Sequence, residues 1–466
     1  MISRTFRPYE PDQMLLMPPS LKEWLPERHL AYFVMDVVAG LDLSKVIESY
    51  GGPARGTVPY EPRMMVSLLV YGYSVGVVSS RRIARGLDED VAFRVIGAGE
   101  RPDFRTISDF RKEHLEELKG LFVQVLKLCM KAGLVKLGKV ALDGTKVKAN
   151  ASKHKAMSYE RMTKEEARLK TEVDNLLKQA AETDEREDAE YGREKRGDEL
   201  PEELAYRESR LKKIQEAKEA LEQEAREAAE ERKAEIAERE KQEDRRGRKP
   251  GAPDPAPDPK AQKNFTDPES RIMPASGEKR SFVQGYNCQA AVDGEHQVIV
   301  AEDVTQETND KQQAVPLLEQ VKENTGEKPK QALMDAGYYS QDNIEEGSAL
   351  AGELFIPPDR MKHGEEISEA PRGRIPESIS VADRMRRKLR TKRGRAVYGK
   401  RKEIVEPVFG QIKQARGFRQ FLLRGLRKVK GEWSLICTTH NLLKLWRSVG
   451  MTVGEPPGTG DCVLNR

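Results

Sequence analysis

Three acidic side chains, Asp143, Asp335 and Glu406, stand where carboxylates can hold a hard divalent cation. Such cations take oxygen ligands, and one or two carboxylates leave positions open for water and phosphate. Two ions about 3.5–4 Å apart can activate the attacking oxygen and stabilise the leaving oxygen of an in-line displacement. That is a chemistry for cutting and joining phosphodiesters. Singly, each acid is a weak signal, since an Asp at a strand end is commonly a cap and a helical Glu commonly faces solvent. The weight comes from their joint placement, with Glu403 the nearest alternative to Glu406.

The elements that must position these acids are legible around them. Lys139 to Lys148 alternates, with Val140 and Leu142 on one face and Ala141, Asp143, Thr145 and Val147 on the other, the pattern of a strand. Two further strands, Tyr286–Val292 and Gln297–Ala301, flank Asp293-Gly294, a hairpin signal. Asn309 is expected to cap a helix through Leu317, Leu318 and Val321. A short strand, Gln331–Met334, ends at Asp335 beside the small Ala336 and Gly337, and another, Glu353–Ile356, ends at Pro357-Pro358. Three strands, a helix, two strands and a closing helix describe an α/β fold, a mixed sheet with helices outside it.

Around the third acid, Glu406, Gly410, Lys413 and Gly417 fall on one stripe at about 100° per residue. An acid, a cation and two bare backbone positions make a surface that a nucleic-acid backbone can approach. Val405, Val408 and Ile412 form the opposite, buried side, and Pro407 predicts that the helix starts or kinks there. Arg384 to Lys402 holds eleven Lys/Arg, no acids, and Tyr398. Its position beside the acids favours phosphate contact over a merely solvated run.

The remaining chain divides by texture. Residues 1–135 read as an all-α N-terminal domain, with helix-length apolar stretches at Leu30–Leu41 and Arg63–Tyr73. Ser79-Ser80 precedes Arg81, Arg82 and Arg85, and Thr106 with Asp109 fits a capping box. Short helices opening on exposed arginines suit a helix-turn-helix-like DNA-binding unit, with Arg81 and Arg82 as contacts. Residues 136–155 and 262–447 form the domain that carries the acids. Between them, 156–246 is expected to be an inserted antiparallel helical hairpin, whose seam includes Leu169, Val173, Leu176, Leu211, Ile214 and Leu221. A Pro-rich linker covers 247–261, and Arg246 to Pro250 reads as its charged start, with a minor-groove hook as the alternative. Residues 448–466 are expected to fray.

Composition narrows the function classes. A 37% hydrophobic and 34% charged chain of 466 residues implies ordinary domains plus a long solvated segment. No apolar run is long enough to span a membrane, and no secretory leader opens the chain, which points to the cytoplasm. Four scattered cysteines form no CxxC pair and read as incidental thiols.

The blocks quoted so far, with their neighbours, resemble one family over roughly residues 1 to 447. FRPYEPDQMLLMPPSLKEWLP and YEPRMMVSLLVYGYSVGVVSSRRIARGLDEDVAFRVI are similar to its N-terminal domain. ALDGTKVKANASKHK, LMDAGYYS and VEPVFGQIKQARGF resemble its three acid blocks, and NFTDPESRIM and GYNCQAAVD the strands between. The family is that of bacterial insertion-sequence transposases with an RNase H-like DDE domain and a Tyr-Arg-Glu-Lys signature. The resemblance implies two Mg²⁺ ions, replaceable by Mn²⁺, held by Asp143, Asp335 and Glu406 as ligands and catalytic acids. It implies double-stranded DNA as partner, both transposon ends and target, cut and joined in a homodimeric synaptic complex. In the signature, Tyr398, Arg401 and Lys413 would steady DNA phosphates. Glu406 to Lys413 keeps the family's Glu-x6-Lys spacing, and Tyr398 to Arg401 its Tyr-x2-Arg spacing. Four residues separate Arg401 from Glu406 where three are usual, so either Lys402 replaces the arginine or the turn is one residue longer.

Overall fold

The computed structural model describes residues 20–50, 58–191, 202–241, 251–275, 281–359 and 379–451. Its strands are β1 (Lys139–Lys148), β2 (Ala156–Ser158), β3 (Gln262–Asn264), β4 (Arg271–Pro274), β5 (Phe282–Asp293), β6 (Ile299–Thr305), β7 (Gln331–Leu333) and β8 (Glu353–Phe355). The main sheet runs β6-β5-β1-β7-β8, with β4 sharing the outer edge of β5. β1 is antiparallel to β5 and parallel to β7, which is parallel to β8. This is the mixed order expected of an RNase H-like sheet.

Both faces of the sheet are covered. Val140, Ala141 and Leu142 of β1 are all fully buried, so the alternation in sequence does not mark one wet face. Each large apolar side chain so buried contributes roughly 1.5–3 kcal/mol. The cover includes the helix Leu426–Met451, which packs on β6 and on the N-terminal helix Leu115–Lys131. Gly431 permits that approach, since a Cβ there would meet Leu115 Cγ at 2.4 Å. Asn441 of the same helix acts as a short piece of strand. It accepts from the Ile299 amide and donates to the Ile299 carbonyl, both at 2.8 Å, where the β5–β6 register shifts. The N-terminal helices and the sheet share one continuous apolar core, and Tyr73 stacks on Phe418 at 5.7 Å.

The insertion is built differently. β2 and β3 pair at its base, and two helices, Tyr159–Tyr191 and Glu202–Lys241, lie against each other beyond it. Met157, Met162, Leu169, Ile214, Ala217 and Leu221 form a small core of their own.

Several local expectations need correction. The helix after β6 begins at Ala314, because Asn309 caps only a turn at Lys311. Asp103, not Thr106, caps the helix Phe104–Glu113, accepting from the Arg105 amide at 2.8 Å. The final helix continues to Met451, so residues 448–451 belong to it, while 452–466 lie outside the described residues. Residues 1–19 and the Arg246–Pro250 stretch also lie outside them. Cys129, Cys288 and Cys437 are buried free thiols. Among the described residues no helix is long and apolar enough to cross a membrane.

Candidate active site

The parallel pairing of β1 and β7 brings the first two acids together. Ala141 stands opposite Leu333, and two residues further along each chain come Asp143 and Asp335. β7 stops there because Asp335 caps a tight turn, its carboxylate accepting from the Gly337 amide at 2.7 Å. A Cβ on Gly337 would lie 2.9 Å from Asp335 Oδ1, so glycine keeps the carboxylate approachable.

Asp143 feels three influences. Burial raises its carboxyl to about 6, Arg401 pulls it down, and the neighbouring charge of Asp335 pushes it up again. Arg401 Nη1 lies 2.9 Å from Asp143 Oδ2, with the two side chains 10% and 21% exposed. Burial outweighs even this close guanidinium, because desolvating the carboxylate costs more than one partner returns. Tyr398 lies on the same helix, Lys392–Gly410, one turn before Arg401. Burial raises its phenol above the ordinary value and Arg401 opposes that.

The signature positions divide by orientation. Arg401 points inward and is buried, whereas Lys402 faces solvent, so Arg401 occupies the inner place. Glu406 is exposed and makes no ion pair or hydrogen bond among the described residues. Val405, Val408 and Ile412 are buried, as the helical pattern predicts. The stripe through Glu406, Gly410, Lys413 and Gly417 does not hold. A π-turn at Gln411–Ala415 changes the phase, and Gly417 follows it at φ +78°. Lys413 is thereby turned onto the sheet, donating to the Lys146 carbonyl at 2.7 Å, with its amine lowered by burial.

Asp310 is the acid that the sequence reading missed. Its Oδ1 accepts from Asn287 Nδ2 and Gln289 Nε2, each at 2.7 Å, and lies 3.9 Å from Lys146 Nζ. It rests over Gly144, where a Cβ would come within 2.6 Å of it. Asp310 Oδ2 lies 3.4 Å from the Cβ position of Gly337, on the Asp335 side. Tyr338 closes this network by donating to Gln289 Oε1. In sequence Asp310 reads as an ordinary turn residue after a strand, with no signal to separate it from Asn309.

The donor set is the kind a hard divalent cation takes, and the Asp143 carboxyl is raised mainly by burial, with the charge of Asp335 adding to it. Yet among the described residues no three acids, histidines or cysteines are gathered closely enough to hold a metal ion. Asp143 and Asp335 come together; Glu406 does not join them.

The basic run is two helices, Val381–Arg390 and Lys392–Gly410, and part of it is used internally. Arg386 binds Asp359 at 2.6 Å, Arg393 binds Glu353 at 2.8 Å, and Lys388 lies over Phe355 at 4.1 Å. Arg81 and Arg82 are exposed on the helix Ser80–Glu89. Arg81 covers Phe104 at 4.9 Å and lines a groove of about 430 Å³ with Ser79, Arg105, Ser108 and Leu422.

Two family models match the chain. One, described as a Transposase DDE domain, covers residues 251–442, and another, a Transposase domain (DUF772), covers residues 19–113. Asp335 and Glu406 fall within the first; β1, with Asp143, lies between the two. No curated protein matches the chain, and no solved structure does.

Proposed function

The chain belongs to the DDE transposase family, with an RNase H-like mixed sheet behind a helical N-terminal region, and from that premise we propose that it is the transposase of an insertion sequence. In this reading it binds terminal inverted repeats in double-stranded DNA, cleaves the strands and joins them to a target, acting in the cytoplasm as a homodimer. Residues 1–135 take part in DNA binding, with Arg81 and Arg82 as contacts. Residues 136–155 and 262–447 perform the chemistry. The hairpin of 156–246 and the linker of 247–261 are inserted into that unit, and 448–466 end the chain.

The observation that carries the reading is the register of β1 and β7, which brings Asp143 within β1 beside Asp335 just past the end of β7. With Glu406 they would hold Mg²⁺ or Mn²⁺, which supplies activation of the attacking oxygen and relief of charge on the leaving oxygen. Arg401 keeps Asp143 from protonating fully near neutral pH and carries a cation to the edge of the pair. The Tyr398 phenol stays protonated and is a donor for phosphate oxygen. Lys413 ties the end of its helix to β1 and brings a second cation to the same side. Asp310 holds Asn287 and Gln289 beneath the site and so fixes its floor. Glu406 has to be brought to the pair, and binding of the DNA end is the event assigned to do so.

The test is cleavage and strand transfer on terminal-repeat DNA, with Asp143→Asn and Asp335→Asn as variants. Full activity in Asp143→Asn would overturn the assignment. The exposed position of Glu406 favours one alternative, a DNA-binding relative without catalysis. Specific end binding with no cleavage under any divalent cation would establish that alternative. Cleavage without joining of pre-cut ends would point instead to an RNase H-like nuclease.

A further inference from the structure

The helix that carries Arg401 and Glu406 runs through Pro407 without a break. An interior proline lacks the N–H that would bond the carbonyl four residues back, which destabilises a helix unless another donor takes its place. The carbonyl left without its donor is that of Glu403. It accepts instead from Gln297 Nε2, at 3.0 Å.

Gln297 belongs to the turn between β5 and β6, far from Pro407 in sequence. Its φ of +59° is a left-handed conformation that a non-glycine residue adopts at some cost. Surrounding contacts hold it there. Its main-chain carbonyl meets His440 Nε2 at 3.0 Å, and its side-chain oxygen accepts from Lys444 Nζ at 3.0 Å. Burial drives His440 down to about 3, so the imidazole is neutral, and a carbonyl partner requires the proton to sit on Nε2. Both partners come from the helix Leu426–Met451. Gly294, three residues earlier, lets the turn close on the other helix, for a Cβ there would meet Ile404 Cδ1 at 3.0 Å.

We propose that Gln297 is a positioning residue for the reaction: its amide replaces the donor that Pro407 removes and sets the seating of the Arg401–Glu406 helix against the sheet. The inference rests on the transposase reading only for its activity readout. Arg401, which reaches Asp143, lies two residues before the Glu403 carbonyl, and Glu406 lies three residues after it, within the turn that the replaced bond closes. A shift of this turn therefore moves both at once.

The experiment is a double-mutant cycle in the full-length chain, with Gln297→Ala, Pro407→Ala and the combination. Cleavage of terminal-repeat DNA in Mg²⁺, end binding and Tm are measured for each. Gln297→Ala is expected to slow cleavage about tenfold, as loss of the donor that replaces the missing main-chain N–H predicts, with end-binding affinity nearly unchanged. Pro407→Ala restores the main-chain donor, so in that background Gln297→Ala is expected to cost much less, in both cleavage and Tm. Equal losses from Gln297→Ala in the two backgrounds would overturn the proposal, as would unchanged cleavage in the single variant. If the parent chain cleaves nothing, the transposase reading fails on its own. The Tm cycle still decides the link, with coupling supporting it and strict additivity refuting it.

Discussion

In the inserted hairpin, Glu166 meets Lys170 at 2.8 Å and Lys218 at 3.0 Å, and Glu165 meets Arg168 and Arg210. Within β1, Asp143 meets Arg401 at a similar 2.9 Å. The consequences are opposite. Hydrogen bonds from Lys170 and Lys218 lower the Glu166 carboxyl to about 2, whereas burial lifts that of Asp143 to about 6 despite its arginine. Distance alone does not set the charge state of a pair; the loss of water does. In the hairpin, Glu165 and Glu166 each meet two cations at the protein surface. The sheet holds Asp143 where burial, helped by the charge of Asp335, outweighs its one arginine.

Four measurements separate the two regions. The largest effect belongs to the chemistry: Asp143→Asn or Asp335→Asn should reduce DNA cleavage on the order of 10³-fold, roughly 4 kcal/mol of transition-state stabilisation, in a strand-cleavage assay. Equivalent substitution of Glu166 should leave cleavage unchanged.

A core substitution comes next. Leu169→Ala removes a buried side chain from the hairpin's own small core and should cost about 2–3 kcal/mol there. Hydrogen exchange should show the two hairpin helices loosened while β1, β5 and β6 keep their protection. Equal loosening of the sheet would mean that the hairpin is not an independent unit.

The third effect depends on pH. The Asp143 carboxyl lies above its ordinary value in the folded chain, so the folded state holds the proton more tightly than the unfolded one. The corresponding stability is complete below about pH 4 and is lost as pH rises through about 6, amounting to roughly 3 kcal/mol. In metal-free chemical denaturation, Asp143→Asn should match the parent at low pH and exceed it above pH 6. An unchanged slope in the variant would place the titration elsewhere. The smallest effect is expected from Lys218→Ala on the hairpin, less than about 1 kcal/mol and diminished further by salt.

How much of this was legible in the chain can be argued residue by residue. β1 is found with the bounds that alternation predicts, and the hairpin helices follow from the spacing of Leu169, Val173, Ile214 and Leu221. Asp335 was marked by its place at the end of a short apolar run. These features depend on local periodicity and turn chemistry, which neighbouring residues largely dictate. Choosing between Arg401 and Lys402 could not be done by spacing, because it depends on which side of the helix meets β1.

Asp310, the π-turn before Gly417 and the bond from Gln297 to the Glu403 carbonyl have no local signature at all. Each arises where segments distant in sequence meet. The amino-acid sequence by itself determined the family, the order of strands and helices, and the placing of one acid within a strand and another at a strand end. Tertiary structure alone decided which charges face inward, which acid stands apart, and what replaces the donor missing at Pro407. The physical reason is that burial, not sequence neighbourhood, sets the strength of a charge and the need of a carbonyl for a partner.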